Sequence, residues 1–252
     1  MDITAIIQAR MGSSRLPGKI LKEVCGKPLL YHQVERVKNC KLLSQIIIAT
    51  SDQAQDDPVA ELGQLIDCPV FRGSENDVLD RFYQAALQYD AKIIMRLTGD
   101  CPLLDPHVCD QLIRLFLKSG VNLAHTGQSF AEGLDCEILD FPTLKKAWEN
   151  AALPMEREHC TLYVYNHNDA FSIETLENER DDSRYRFTVD EEADFQVVRT
   201  IFEHFFKVGK PLPYMDDIRA FLDNCPEVMK LNSHVIRNEG LINSQKENSK
   251  ID

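Results

Sequence analysis

The sequence predicts an α/β fold, a mostly parallel sheet flanked by helices, and three observations carry that expectation. Short apolar runs of strand length alternate with longer stretches of helical periodicity through the first half of the chain, the pattern of βαβ units. A polar loop rich in Gly, Ser, Asp or Pro follows each apolar run. The chain has 252 residues, 44% of them apolar and 27% charged, with 11 Gly and 11 Pro, which suits one large globular domain and excludes a disordered or fibrous one.

Ile3 to Ala9 reads as a buried strand, followed by a loop over Arg10 to Lys19 and a helix opened by Pro28, with Leu30, Val34 and Val37 on one face. Gln45 to Thr50 repeats the pattern, with Ser51-Asp52 as its loop and a helix through Val59, Leu62 and Ile66. Pro69 to Phe71 is a short third strand and Arg72 to Asp77 a polar loop, after which Val78, Phe82, Ala85, Ala86 and Tyr89 form a helical stripe. Lys92 to Leu97 is the fourth strand, Thr98-Gly99-Asp100-Cys101-Pro102 its loop, and Val108 to Leu117 the next helix. In a parallel sheet the loops after the strands gather at one edge, where ligands bind. Those loops bring Arg10, Arg15, Lys19, Asp52, Arg72 and Asp100 to that edge.

From about residue 121 the alternation is less regular, and residues 121–185 are expected to form a mixed-sheet lid or interface element. It is read as strands near Val121 to His125, Asp135 to Leu139 and Phe171 to Leu176, with helices near Leu144 to Asn150 and Arg157 to Tyr165. A strand over Arg186 to Val189, a long helix over Glu191 to Phe206 and a shorter one from Asp216 complete a single domain over residues 1–237. Residues 238–252 are polar and aperiodic, and disorder is expected there.

The chain carries 28 Lys and Arg against 40 Asp and Glu, a formal charge of −12, which argues against nucleic acid as a partner. No apolar stretch approaches a membrane span, and no signal region precedes the first strand, so a cytoplasmic protein with no membrane association is expected. The eight Cys are scattered without close pairs, which predicts reduced thiols rather than zinc or a disulfide framework.

Against that acidic background, the loop after the first strand concentrates Arg10, Gly12, Ser13, Ser14, Arg15, Gly18 and Lys19. Glycines let the backbone approach phosphate oxygens, Arg supplies forked contacts and Lys a point charge, so the loop suits a polyphosphate. It is neither a P-loop nor a GxGxxG turn: five residues separate Gly12 from Gly18, and Ile20 stands where a metal-binding hydroxyl would be. A solvated basic turn is the competing reading. A triphosphate carries about four negative charges and is handled with Mg²⁺, so carboxylates are needed to hold the metal. Asp100 and Asp190, each past a strand end, are the candidates. On spacing alone Asp190 also reads as a helix N-cap and Asp100 as a turn residue.

Further along, Asp135 and Glu137 would share one face of a strand, and Arg157-Glu158-His159 would open a helix nearby. Carboxylates there suit ligand hydroxyls, and Arg157 a ligand carboxylate; a solvated strand face or an interface is the alternative.

Five segments together resemble a known family: Ile7-Gln8-Ala9-Arg10-Met11-Gly12-Ser13-Ser14-Arg15-Leu16-Pro17-Gly18-Lys19, Arg96-Leu97-Thr98-Gly99-Asp100-Cys101-Pro102-Leu103, Gly133-Leu134-Asp135-Cys136-Glu137, Arg157-Glu158-His159 and Arg186-Phe187-Thr188-Val189-Asp190. They are similar to the sugar-activating cytidylyltransferases, in the SpsF branch of spore coat polysaccharide biosynthesis, related to the acylneuraminate and 3-deoxy-manno-octulosonate enzymes. The resemblance spans residues 3 to 232. It implies a glycosyltransferase-A-like, Rossmann-like domain that transfers CMP from CTP to a sugar and releases pyrophosphate. It also implies that Arg10, Arg15 and Lys19 grip the phosphates with Ala9, Gly12 and Ser13, while Asp100 and Asp190 hold Mg²⁺. The base-recognising segment would be residues 72–81, with Arg72, Ser74, Asp77 and Arg81. A homodimer paired through the second half is implied as well. Two other readings fit the same fold: a glycosyltransferase using Asp135-Cys136-Glu137 as its metal motif, and a non-catalytic nucleotide-binding subunit.

Overall fold

The computed structural model describes residues 2–237 and Glu239. The first half is built from β1 (Ile3–Gln8), a small hairpin of β2 (Glu23–Val24) and β3 (Lys27–Pro28), α1 (Leu29–Val37), β4 (Gln45–Ser51), α2 (Asp57–Leu65), β5 (Val70–Gly73), α3 (Val78–Gln88), β6 (Ile93–Thr98) and α4 (Pro106–Ser119). The second half adds β7 (Leu123–Thr126), β8 (Glu137–Asp140), α5 (Phe141–Asn150), α6 (Pro154–Glu158), α7 (Leu162–Asn166), β9 (Ile173–Leu176), α8 (Glu192–Lys207), α9 (Met215–Asn224) and α10 (Pro226–Lys230). The main sheet has seven strands in the order β5-β4-β1-β6-β8-β7-β9.

β5, β4, β1 and β6 run parallel, as the alternation predicts. Their side chains divide by parity, because successive residues of a strand point to opposite faces. Ile3, Ala5 and Ile7 pack with α1, α4 and α8, whereas Ile6, Ala49 and Ile94 pack with α3 and α5. Helices thus cover both faces, and β1 is buried along almost its whole length.

The second half joins the same sheet, with β8 antiparallel to both β6 and β7, and β9 parallel to β7. Four expectations need correction here. Asp135 is outside β8: the left-handed turn at Gly133 (φ 100°), whose N–H donates to Asp135 Oδ2 at 2.7 Å, delays pairing until Glu137. Arg157, Glu158 and His159 close a helix rather than open one, since Pro154 starts α6 and the His159 N–H donates to Met155 O. Residues 186–189 form no strand, only a single bridge between Glu132 and Arg186. Arg72 lies within β5, not in the loop after it. The tail from 238 onward, Glu239 apart, lies outside the described residues.

Candidate active site

The loop after β1 is shaped by its backbone donors. Ala9 N–H donates to Ala49 O at 3.0 Å, and Met11 N–H donates to Asp56 Oδ1 at 2.6 Å. Asp56 is fully buried and also accepts from the N–H and hydroxyl of Ser51, so one carboxylate ties the loop to the end of β4. No motif in the sequence marks Asp56; its role comes from contacts 45 residues apart. The Met11 carbonyl accepts from Ser13 N–H at 2.9 Å and Gly18 N–H at 3.1 Å, and Ser13 Oγ accepts from Leu16 N–H, which curls the loop on itself. Gly18 takes φ 68°, where a side chain is strained, and a single 3₁₀ turn then directs Lys19 back over the strand ends.

The turn after β6 lies directly against β1. Gly99 N–H donates to Gln8 O at 2.7 Å, and a Cβ on Gly99 would meet both Ala9 Cβ and Gln8 O at 2.9 Å, so only glycine permits this approach. The next residue, Asp100, accepts Val189 N–H on its carbonyl at 2.9 Å, which draws residues 186–190 to the same edge. The Lys19 ammonium then donates to Asp100 Oδ2 at 2.8 Å and to Asp190 Oδ1 at 2.9 Å. Asp190 is therefore no N-cap; that position of α8 is Glu191. Arg15 Nη2 lies 3.1 Å from the same Asp190 oxygen, and Arg15 Nη1 donates to Glu239 at 2.5 Å.

Burial works against charge on Lys19, but Asp100 and Asp190 outweigh it and its pKa stands above the ordinary lysine value. Burial likewise pushes Asp100 upward, and the Lys19 charge and hydrogen bond, with one from Thr98, bring it below the usual carboxylate range. Two carboxylates thus face one cation position with hard oxygen donors. Among the described residues no group of three His, Cys, Asp or Glu side chains is arranged to hold a metal. Two carboxylates fit Mg²⁺, which takes one or two from a protein and the rest of its shell from water and substrate phosphate.

Arg15, Lys19 and Asp100 line a cleft of about 370 Å³ together with Gln8, Arg10, Ser13 and Arg81, and Asp190 reaches its edge through Lys19 and Arg15. Arg10 forms no hydrogen bond or ion pair within the structure among the described residues. Arg81 is 1% exposed and donates through Nη1 to Ser74 O at 2.6 Å, while its Nε has no hydrogen-bond partner. Burial first, then the nearby Arg10 charge, lower its pKa.

Ser74, Asp77 and Arg72 shape the adjoining segment without lining the cleft. Ser74 Oγ accepts from Asp77 N–H, and Asp77 caps α3 by accepting from Asp80 N–H at 2.8 Å. Arg72 is occupied by Asp57 and by the carbonyls of Ser51 and Gln53. Arg157, the expected sugar-binding arginine, donates from Nε at 2.8 Å and Nη2 at 2.5 Å to Asp77 Oδ2 and so braces the α3 cap.

Asp135 and Glu137 also separate. Glu137 accepts from Arg96 at 2.6 Å, Tyr165 at 2.7 Å and Thr161 at 3.0 Å, and it stays ionised below its ordinary pKa because these donors outweigh burial. Asp135 accepts from Arg237 at 3.2 Å. Glu158 is exposed, and His159 is half-buried with its pKa lowered by burial. Trp148 stacks on Tyr83 and donates to Asp80, which makes it helix packing.

All eight cysteines are free thiols, six of them buried. No described helix is long and apolar enough to cross a membrane.

The family model described as cytidylyltransferase matches residues 4–232. An uncharacterized protein of Methanocaldococcus jannaschii is 37% identical, covering 93% of this chain and 96% of its own. The spore coat polysaccharide biosynthesis protein SpsF of Bacillus subtilis is 34% identical over 80% of this chain and 87% of its own. A solved cytidylyltransferase from Leptospira borgpetersenii superposes with a TM-score of 0.85 at 35% identity, covering 91% of this chain and 97% of that one. With the family model matched over residues 4–232 and relatives 34–37% identical along most of its length, the chain belongs to the cytidylyltransferase family.

Proposed function

We propose that the chain activates a sugar for polysaccharide or glycan synthesis by transferring CMP from CTP. A sugar hydroxyl oxygen bonds to the α-phosphorus in line, the bond from that phosphorus to the bridging oxygen breaks, and pyrophosphate leaves while the hydroxyl proton passes to solvent. The observation that carries this reading is the suspension of Lys19 between Asp100 and Asp190 at the mouth of a cationic loop. Arg10, Arg15 and Lys19 would bind the triphosphate and neutralise charge on the departing pyrophosphate. Ala9, Gly12 and Ser13 would contact the phosphates, and Arg81, which lines the same cleft, would contact the nucleotide. Asp100 and Asp190 would hold Mg²⁺, which supplies charge neutralisation at the phosphates when bound. Asp135, Glu137, Glu158 and His159 would surround the acceptor. SpsF's part in spore coat polysaccharide synthesis supports a sugar acceptor. A cytoplasmic homodimer is part of the same reading.

The glycosyltransferase alternative needs Asp135 and Glu137 together on one strand face as a metal pair, and Asp135 lies outside β8 against Arg237 while Glu137 is held by Arg96. Titration calorimetry with CTP, UTP, GTP and ATP, with and without Mg²⁺, followed by a pyrophosphate-release screen over acidic and neutral sugars, tests the proposal. Mg²⁺-dependent CTP binding and sugar-dependent pyrophosphate are expected. Preference for a nucleoside diphosphate, or no nucleotide binding, would overturn it.

A further inference from the structure

Asp190 is held from behind by a buried charge network. Arg186, 9% exposed, donates from Nη2 to Asp190 Oδ2 at 2.7 Å and from Nε to Asp194 Oδ1 at 2.9 Å, and its Nη1 pairs with Glu132. Asp194 has no exposed surface, and its Oδ2 accepts the N–H groups of both Asp190 and Glu191 at 3.0 Å. Asn232 Nδ2 donates to Asp194 Oδ1 at 2.9 Å and to the Arg186 carbonyl at 3.1 Å, which closes the network. Asp194 therefore fixes the Asp190 backbone and also the guanidinium that grips its side chain. The two oxygens of Asp190 are divided: Oδ2 is bound by Arg186, and Oδ1 by Lys19 and Arg15, which themselves line the cleft.

We infer that Arg186 is a positioning residue that presents a single oxygen of Asp190 to the cation site, and so enforces one-oxygen ligation there. This rests on the proposed metal role of Asp100 and Asp190. A carboxylate whose second oxygen is committed to a buried guanidinium cannot chelate with both, which suits the octahedral Mg²⁺ shell and disfavours larger ions that accept bidentate carboxylates. Partners behind a ligand commonly tune metal affinity by about 10–100-fold. The sign of the effect separates positioning from simple electrostatics. Arg186 is a cation beside a cation site, so if it acted only through its charge, removing it would tighten metal binding. As a positioning group, its removal weakens it.

The experiment measures the Kd for CTP, without acceptor sugar, in Mg²⁺ and in EDTA, for the wild type, Arg186→Met, Arg186→Lys and Asp190→Asn. The ratio of the two constants is the metal linkage. In Arg186→Met the linkage is expected to fall about tenfold or more, while the Kd in EDTA stays within about threefold, since a loss spread through the fold would move both. Arg186→Lys keeps the charge but not the fork and should fall between wild type and Arg186→Met. It also supplies the test should Arg186→Met fail to fold. Replacing Mg²⁺ by Ca²⁺ should cost the wild type more linkage than Arg186→Lys. If Asp190→Asn collapses the linkage and the Arg186 variants keep or increase it, the positioning role is overturned while the metal reading stands. A wild type with no linkage overturns both.

Discussion

The Lys19 ammonium lies 2.8 Å from the Asp100 carboxylate, yet the two residues belong to different βα loops, 81 positions apart. Their contact exists because β1 and β6 are parallel neighbours whose loops leave the sheet at the same edge. With Asp190 on its other side, Lys19 holds two carboxylates that would otherwise repel each other. Lys19→Met should therefore destabilise the protein by about 1–3 kcal/mol near neutral pH. The pH dependence identifies the cause. Asp100's contribution is present above its unfolded pKa of about 3.9 and lost as pH falls through its lower folded value. Lys19's contribution is present below its unfolded pKa of about 10.4 and lost as pH rises through its higher folded value. Thermal melts from pH 8 down through about pH 3 should show the variant's deficit shrinking toward acid, as Asp100, left without its ammonium partner, takes up a proton. A deficit independent of pH would assign the loss to packing instead.

Asp100→Asn keeps the side-chain shape and leaves Lys19 paired with Asp190. The fold should persist, with an unchanged circular dichroism spectrum, while CTP-dependent pyrophosphate release drops by about 100-fold or more. Full activity in this variant would remove Asp100 from the metal site.

The parallel half of the sheet and the cationic loop at its edge were legible because each buried strand, its helix and its loop are contiguous in sequence, and periodicity reports burial directly. Lys19, Asp100 and Asp190 could be singled out because each follows a strand-like run. Periodicity does not report partners, however. Nothing near Arg157 in sequence marks Asp77 as its acceptor, and nothing near Met11 marks Asp56. Asp135 and Glu137 alternate as a strand would, but the turn at Gly133 depends on contact with residues 187–188, a long-range constraint that local pattern does not contain. Arg186 stood in a recognised segment, yet its role lies in three carboxylates brought together by the bridge to Glu132 and the first turn of α8.

Arg157 and Asp77 should behave as a unit. The pair joins the end of α6 to the cap of α3, so losing either partner weakens both the cap, by about 1 kcal/mol, and the segment that carries Arg81. Arg157→Ala and Asp77→Ala should each destabilise the chain, and the double variant should cost less than the sum by about 0.5–3 kcal/mol. Denaturant melts of the four-member cycle measure this term. An acceptor-binding role for Arg157 would instead appear as a raised KM for the sugar with stability unchanged and additivity preserved.

Arg10 is the cation of the loop with no ion pair in the structure among the described residues, whereas Lys19 and Arg15 are both held by carboxylates. Its charge also opposes that of buried Arg81, whose Nε has no acceptor. Two like charges left facing each other across a cleft cost stability in the free protein and gain it back when an anion enters. Arg10→Ala should therefore leave the melting temperature of the nucleotide-free protein unchanged or raised. A charge-assisted hydrogen bond contributes about 1.5–3 kcal/mol, so the same variant should weaken CTP binding by roughly 10- to 150-fold. A thermal melt without ligand should hold or rise while the calorimetric affinity for CTP falls. A variant that loses stability and affinity together would mean that Arg10 holds the loop rather than the nucleotide.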